Sequence, residues 1–259
     1  MDLKTDIIKT VGIVAVIGTI SDSTVYAENK KIDYEVQVVE YSNRNDDITG
    51  DSSENFADGA YYSGAFVNGK RDGVGTYSFS NGDSYTGEWA DDVMTGEGKY
   101  LFADGASMSG TFEEGVLFDG VFSYSDNDGI YEVTVEEGEY TDKFKATFAN
   151  GDVFEGTYDG GEFEGECEIT YASGDIYKGN VVKSNKHGLG TYVWANGASY
   201  TGDWENDKMN GIGVYYYSED TFPRLEGTFV NNQPEGTLEY FTSETVSVST
   251  QWQNGSCVG

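Results

Sequence analysis

The sequence repeats itself every 23 residues from Tyr62 onward, and this period constrains the fold more than any other feature. Successive repeats begin at Tyr62, Tyr85, Met108, Tyr131, Phe154, Tyr177, Tyr200 and, after a two-residue insertion at Pro223-Arg224, Leu225; a half repeat begins at Val248. Another half repeat, Phe56-Ala-Asp-Gly59, precedes the first full one. A unit this short cannot bury its own apolar face, so neighbouring units must stack into an array.

Each repeat has the pattern of a β-hairpin. Tyr85-x-Gly87-x-Trp89 places three residues on one face of a first strand, and Gly96 and Gly98 begin a second strand that ends in aromatic residues. Asn-Gly or Asp-Gly follows that second strand and favours the positive φ of a tight turn. The chain has 35 Gly and only 2 Pro, and no stretch has apolar residues at helical spacing. The sequence therefore predicts an all-β fold, an elongated single-layer array of stacked antiparallel hairpins.

This repeat unit closely resembles the MORN repeat (membrane occupation and recognition nexus). The strongest match runs from Tyr200 to Gly213, Tyr-Thr-Gly-Asp-Trp-Glu-Asn-Asp-Lys-Met-Asn-Gly-Ile-Gly, and the resemblance covers 56–259 with about eight repeats. Two repeats, 108–153, lose most of the pattern, and we expect a bend, bulge or irregular edge there. The resemblance implies a module that binds peptides, self-associates or lies close to a membrane.

Residues 1–27 have the pattern of a targeting segment. Lys4 and Lys9 precede the apolar run Thr10–Ile20, and Val25-Tyr26-Ala27 suits signal peptidase cleavage after Ala27. An uncleaved anchor through residues 7–20 and a buried apolar strand are the alternatives. The main interpretation predicts a secreted or cell-envelope protein.

Residues 28–55 combine a short strand with an acidic flexible linker. Alternating apolar residues Ile32, Tyr34, Val36 and Val38 predict the strand, and the polar composition of 42–55 predicts the linker. The chain is therefore divided into 1–27, 28–55 and a repeat array at 56–259.

The net charge of −31 limits the class of partner. It repels polyanions, which excludes nucleic acid and disfavours direct binding to anionic lipid. The densest basic patch, Lys178, Lys183 and Lys186, is the one place where a phosphate headgroup could bind. A basic segment of a protein partner is the favoured ligand, and self-association stays open.

No catalytic, cofactor or metal site is predicted, because the sequence lacks the motif that each would require. His187 is the only histidine, and Asp126-Asn-Asp-Gly129 fails the EF-hand pattern, which leaves at most a weak calcium site. Cys167 and Cys257 are too far apart along an extended array to form a disulfide. Cys167 is predicted to be a buried small residue, and Cys257 is the candidate for an intermolecular crosslink.

The candidate partner-binding residues are the aromatic residues of a groove: Tyr77, Phe79, Trp89, Tyr100, Phe102, Tyr192, Trp194, Trp204 and Tyr215. The leading hypothesis is a non-enzymatic protein-interaction scaffold that uses this groove. The second is a cell-surface module that stacks these rings on carbohydrate or choline, and the third is a membrane-proximal lipid-binding module. Rings buried against neighbouring hairpins would be structural; exposed rings would bind ligand.

Overall fold

The computed structural model describes residues 11–21, 24–34, 48–159 and 162–259, with backbone alone before residue 48. Every regular element in these ranges is a β-strand. The first eleven are β1 (Val11–Ser21), β2 (Thr24–Tyr34), β3 (Gly50–Asn55), β4 (Tyr61–Val67), β5 (Lys70–Ser78), β6 (Ser84–Ala90), β7 (Val93–Leu101), β8 (Ser107–Glu113), β9 (Val116–Ser125), β10 (Gly129–Glu136) and β11 (Glu139–Phe148). The rest are β12 (Val153–Asp159), β13 (Glu162–Thr170), β14 (Ile176–Val182), β15 (Asn185–Val193), β16 (Ser199–Glu205), β17 (Lys208–Tyr216), β18 (Arg224–Val230), β19 (Gln233–Pro234), β20 (Gly236–Ser243), β21 (Val246–Gln253) and β22 (Ser256–Cys257).

The repeats form two compact units, 48–126 with 130–142, and 127–129 with 143–259. In each unit consecutive strands pair antiparallel, for example Tyr77 with Tyr85 between β5 and β6, and Tyr192 with Tyr200 between β15 and β16. Strand order follows chain order because each repeat is a hairpin joined to the next by a tight turn. The predicted all-β fold of antiparallel hairpins is confirmed.

The N-terminal strands cover part of the predicted targeting segment. β1 contains most of the apolar run, and β1 and β2 form a two-stranded sheet of their own. Among the described residues, no helix has the length and apolar character needed to cross a bilayer. Residues 1–10 lie outside the described ranges, so cleavage after Ala27 stays a prediction. Of the strand predicted from Ile32 to Val38, β2 includes Ile32 and Tyr34, whereas Val36 and Val38 lie outside the described residues.

The linker prediction is wrong for residues 50–55. They form β3, which pairs with β4 from Gly50 opposite Phe66 to Asn55 opposite Tyr61. The linker was predicted from the polar composition of these residues. A strand at this position is held by backbone hydrogen bonds, so its side chains need not be apolar. The half repeat Phe56–Gly59 indicates a strand before it, because the same turn motif follows the second strand of the later repeats. Residues 42–47 of the predicted linker lie outside the described residues.

In four repeats, a tyrosine ring lies across two facing glycines; these tyrosines are Tyr62, Tyr85, Tyr177 and Tyr200. Tyr200 is fully buried and donates its hydroxyl hydrogen to the carbonyl of Asp203 at 3.1 Å. Its ring covers Gly202 and Gly213, which face each other on β16 and β17. A Cβ on Gly213 would approach the ring and hydroxyl to under 3.0 Å, so only glycine fits.

The repeat that begins at Phe154 differs from these four in both partners. Phe154 takes the place of the tyrosine, and Cys167 takes the place of the second glycine, opposite Gly156. Without a hydroxyl to anchor it, the Phe154 ring stacks on Phe163 with centroids 3.6 Å apart. Cys167 is buried, as predicted, and burial raises the pKa of its thiol to about 12, although the nearby Lys186 acts to lower it. A thiol this weakly acidic is unreactive at neutral pH.

Consecutive hairpins are joined through their turns. Type I′ geometry places two positive φ angles in a turn such as Asn206 (49°) and Asp207 (65°). The amide of Asp207 donates to the carbonyl of Lys186 at 3.1 Å, and the Asp207 carboxylate accepts from the Lys186 amide at 3.0 Å. The same reciprocal pair recurs where Asn232 meets Met209, at 3.0 and 2.8 Å. Where a short polar residue occupies the second turn position, its side chain therefore adds a second hydrogen bond between the hairpin and the one before it; where glycine occupies it, as at Gly115, only the backbone bond remains.

A second link uses an aspartate near the end of a repeat, two residues before the next one begins. Asp83 is buried and accepts hydrogen bonds from the Tyr100 hydroxyl at 2.6 Å and the Ala103 amide at 2.9 Å. Asp175 binds Tyr192 at 2.7 Å and the amide of Ala195 at 2.8 Å. Each carboxylate thus satisfies polar groups of the following repeat that would otherwise be costly to bury.

Candidate functional site

Six of the nine predicted groove rings are core residues. They are Tyr77, Phe79, Trp89, Tyr100, Phe102 and Trp204, none more than 8% exposed. The indole N–H of Trp89 donates to the carbonyl of Gly75 at 3.2 Å, and that of Trp204 to Gly190 at 3.1 Å. The prediction of a ligand-binding groove is wrong for these six, because stacking against neighbouring hairpins buries their faces.

Two of the buried aromatic clusters already hold a cation of the chain itself. The Arg71 guanidinium lies 4.5 Å from the Trp89 ring and 5.0 Å from the Tyr77 ring, and its Nε pairs with Asp92 at 3.0 Å. These contacts occupy the space in which a quaternary ammonium ligand would stack. A choline-type site is therefore closed at this repeat.

The second buried cation is Lys186. Its Nζ pairs with Asp207 at 3.1 Å, contacts the Tyr171 hydroxyl at 3.1 Å, and lies 5.8 Å from the Trp204 ring. Burial opposes the charge, but Tyr171 and Asp207 outweigh it and raise the pKa of Lys186. Burial likewise raises the pKa of Tyr171. Lys186 is therefore a charged part of the core.

The predicted basic patch of Lys178, Lys183 and Lys186 does not form. Lys186 is buried, and Lys178 pairs with Glu168 at 2.9 Å on the sheet surface. Lys183 is exposed in the turn. The three amines therefore do not converge on one phosphate site.

A continuous row of partly exposed rings crosses the second unit, and we call it the aromatic ladder. Its members are Tyr171, Tyr192, Trp194, Tyr215, Tyr217 and Tyr240. Consecutive ring centroids along this order are 5.8, 4.9, 5.4, 5.0 and 6.0 Å apart. Three predicted groove residues, Tyr192, Trp194 and Tyr215, belong to it. The ladder is the part of the predicted groove that a ligand can reach.

The ladder follows from the hairpin geometry. Tyr192 and Trp194 lie two residues apart and so share a face, and Tyr215 and Tyr217 repeat this arrangement in the next hairpin. The Tyr171 amide donates to the Asp175 carbonyl and the Trp194 amide to the Ala198 carbonyl, both at 2.9 Å across the following turn. The two rings therefore occupy equivalent positions in successive hairpins. Tyr217, at 44% exposed, is the most open member. The equivalent rings of the first unit, such as Phe79 and Phe102, are buried.

The tyrosine rings of the ladder also carry hydroxyl groups, and some of these are free of partners within the described residues. Tyr192 donates to Asp175 and Tyr171 accepts from Lys186, whereas the hydroxyls of Tyr215, Tyr217 and Tyr240 form no hydrogen bond with the described residues. Burial first, and then the neighbouring Tyr240 and Tyr215, raise the pKa of Tyr217. The Tyr217 hydroxyl therefore stays protonated at neutral pH and can donate.

Acidic side chains lie beside the ladder. Glu219 and Asp220 follow Tyr217 in the chain and are exposed. The Glu219 side chain reaches back to the turn after Trp194, where its Cγ lies 2.7 Å from the position a Cβ on Gly197 would take. The surface thus combines apolar ring faces with negative charge.

The remaining predicted sites show no ligand-binding arrangement. Within 48–159 and 162–259, no three His, Cys, Asp or Glu side chains cluster as metal ligands would. Both cysteines are free thiols, and Cys257 is exposed, so its intermolecular crosslink stays a prediction. His187 is exposed on β15.

The family comparison agrees with this geometry. The family model described as MORN repeat matches residues 62–84, 85–107, 154–176, 177–199, 200–221 and 226–237. The chain is a MORN-repeat protein. Six repeats match, against the eight predicted, and the unmatched stretch includes 108–153. The MORN pattern is nevertheless continued there in structure: β8 pairs with β9 from Ser107 to Glu113, and β10 pairs with β9 from Ile130 to Val135. The predicted bulge occurs between Thr111 and Phe112, where the register shifts as it does between Gly202 and Trp204 in a matched repeat.

MORN repeats form protein-interaction modules that are typically non-enzymatic. None of the curated proteins matches this MORN chain. Among solved structures, a catalytically inactive virginiamycin B lyase from Staphylococcus aureus with quinupristin is 11% identical, with 90% of this chain and 95% of that chain covered. Its TM-score of 0.14 is too low to support any argument about fold or function.

Proposed function

We propose that this MORN-repeat protein binds a basic segment of a protein partner on the aromatic ladder. The observation that carries the proposal is the contrast in burial: the other predicted groove rings lie in the core, whereas the ladder rings form one contiguous, partly exposed row. Tyr and Trp dominate the binding energy of many protein interfaces, because they offer large apolar faces together with a polar group. The net charge of −31 and the acidic residues beside the ladder favour a basic partner and steer its approach.

Removing ladder rings should weaken partner binding without unfolding the protein. In Trp194→Ala combined with Tyr217→Ala, we expect partner recovery to fall by about tenfold or more, because two central anchors typically contribute over 1 kcal/mol each. The measurement is quantitative mass spectrometry of proteins recovered on immobilised wild-type and variant protein. Tyr61→Ala is the matched control, because Tyr61 is 38% exposed and lies in the first unit, outside the ladder. Recovery of the same proteins by both variants would contradict the proposal.

A polysaccharide is the second candidate ligand. Aromatic rings in a row can stack on successive sugar faces, and the hydroxyls of Tyr215, Tyr217 and Tyr240 could bind sugar hydroxyls. Quenching of Trp194 fluorescence by soluble polysaccharide, with a Trp194→Phe variant to isolate that signal, would favour this ligand. Binding of basic peptides alone would favour the protein partner.

We further propose that the protein is exported to the cell surface or beyond. The proposal is supported by Lys4 and Lys9 before the apolar run and by the Val25-Tyr26-Ala27 sequence. The intact mass of the protein from each cell fraction tests it. A chain beginning at Glu28 outside the cell is expected, a full-length chain in the membrane would indicate an anchor, and a full-length cytosolic chain would contradict export.

A further inference from the structure

We infer that the ligand of the aromatic ladder is a proline-rich, lysine- or arginine-bearing segment in the polyproline II conformation. The inference rests on the proposed function and adds the conformation and composition of the bound segment. It depends on the spacing of the ladder rings, on the tyrosine hydroxyls beside them and on the flanking charge.

The first argument is spacing. Tyr171, Trp194 and Tyr217 follow the ends of β13, β15 and β17, so one such ring occurs per hairpin. Two strands at about 4.8 Å each separate equivalent rings by about 9.6 Å. A polyproline II helix has three residues per turn and rises about 3.1 Å per residue, so every third residue recurs on one side after about 9.3 Å.

Other conformations match this spacing less well. In a β-strand, the third residue covers about 10 Å but points to the opposite face. In an α-helix, equivalent residues recur every seven positions, after about 10.5 Å, and so drift by about 1 Å at each successive ring. A segment running across the strands therefore keeps one residue on each of Tyr171, Trp194 and Tyr217 most closely when it is polyproline II.

The second argument is hydrogen bonding. A polyproline II segment has no internal backbone hydrogen bonds, so its carbonyls need donors from the protein that binds it. The hydroxyls of Tyr215, Tyr217 and Tyr240 donate to no acceptor in the described residues and lie at the open end of the ladder. Proline lacks an N–H, so such a segment makes no demand for acceptors that the ladder does not offer.

The third argument is charge. Glu219 and Asp220 are exposed beside Tyr217, and Asp175 lies against Tyr192. A lysine or arginine between the prolines can pair with Glu219 or Asp220 while the prolines contact the rings. Asp175 adds its negative charge, while its two oxygens accept hydrogen bonds from Tyr192 and Ala195. An acidic proline-rich segment would be repelled by the same groups.

Three synthetic peptides of equal length test the inference on the full chain. The first has proline at every third position with lysines between, the second replaces every proline with glycine, and the third replaces every lysine with glutamate. Titration calorimetry should show the proline-lysine peptide binding about tenfold or more tightly than either of the others. Trp194→Ala and Tyr217→Ala should each weaken it by at least fivefold, Tyr217→Phe by less, and Tyr61→Ala not at all.

The outcomes separate the inference from the proposed function. Equal binding of the proline and glycine peptides, lost in Tyr217→Ala, would overturn the polyproline II conformation and leave the ladder as a site for basic segments. Binding that no ladder variant weakens, or binding of a polysaccharide but of no peptide, would overturn both. Circular dichroism of every variant confirms that it retains the wild-type strand content.

Discussion

Replacing Gly213 with alanine should lower the free energy of unfolding by about 3 kcal/mol, at the upper end of the cost of overpacking a core. The added Cβ would lie under 3.0 Å from three atoms of Tyr200, and the hydrogen bond from Tyr200 to the Asp203 carbonyl prevents the ring from moving aside. The φ of Gly213 is not in the positive range, so the effect is steric and not one of backbone strain. Urea unfolding followed by tryptophan fluorescence measures it.

A second substitution should recover about half of that loss. Tyr200→Phe combined with Gly213→Ala removes the hydroxyl that anchors the ring, which frees the ring to tilt away from β17. The protein already contains such a pair, because Phe154 and Cys167 occupy the positions of Tyr200 and Gly213 in their repeat, and the Phe154 ring stacks on Phe163. Ile212→Ala is the control: Ile212 is 73% exposed, so its truncation should change the free energy of unfolding by less than about 0.5 kcal/mol. A double variant no more stable than Gly213→Ala alone would contradict this account.

Replacing Asp207 with alanine should cost about 3 kcal/mol or more. The change leaves the buried Lys186 ammonium without its carboxylate, and an uncompensated buried charge is among the costliest single defects. It also removes the acceptor of the Lys186 amide, which the Asp207 carboxylate binds at 3.0 Å. The unfolding midpoint in urea reports the loss.

The double variant Lys186→Met with Asp207→Asn should be close to wild type in stability. It copies the pair in the following repeat, where Met209 occupies the position of Lys186 and the Asn232 side chain accepts the Met209 amide at 2.8 Å. Replacing a buried ion pair with well-packed apolar groups is often neutral. A double variant as unstable as Asp207→Ala would show that the cation itself stabilises the aromatic cluster.

Several features could be predicted from residues alone because they depend on local pattern. The 23-residue period, the alternation in Tyr85-x-Gly87-x-Trp89 and the turn residues predicted the hairpins and their antiparallel pairing. Strand alternation and turn motifs also predict two features that the composition of the chain obscured, the burial of Lys186 and the strand at 50–55. Lys186 lies two residues from Gly188 on the same strand, so alternation places it on the inner face with Tyr192 and predicts its burial. The turn motif Phe56–Gly59 predicts a strand before it, which is β3.

The location of the candidate site could not be predicted in this way. Trp194 and Trp204 are the same residue type in one repeat array, yet Trp204 is buried with its indole N–H hydrogen-bonded to the Gly190 carbonyl, and Trp194 is partly exposed on the ladder. Their exposure depends on which rings and cations of neighbouring hairpins cover them, and those contacts join residues many positions apart. The sequence by itself determined the hairpin, its period and its inner face, because strand alternation and turn conformation are local. Only the tertiary structure decided which inner-face rings form the core and which form the ladder, because burial depends on the packing of one repeat against the next.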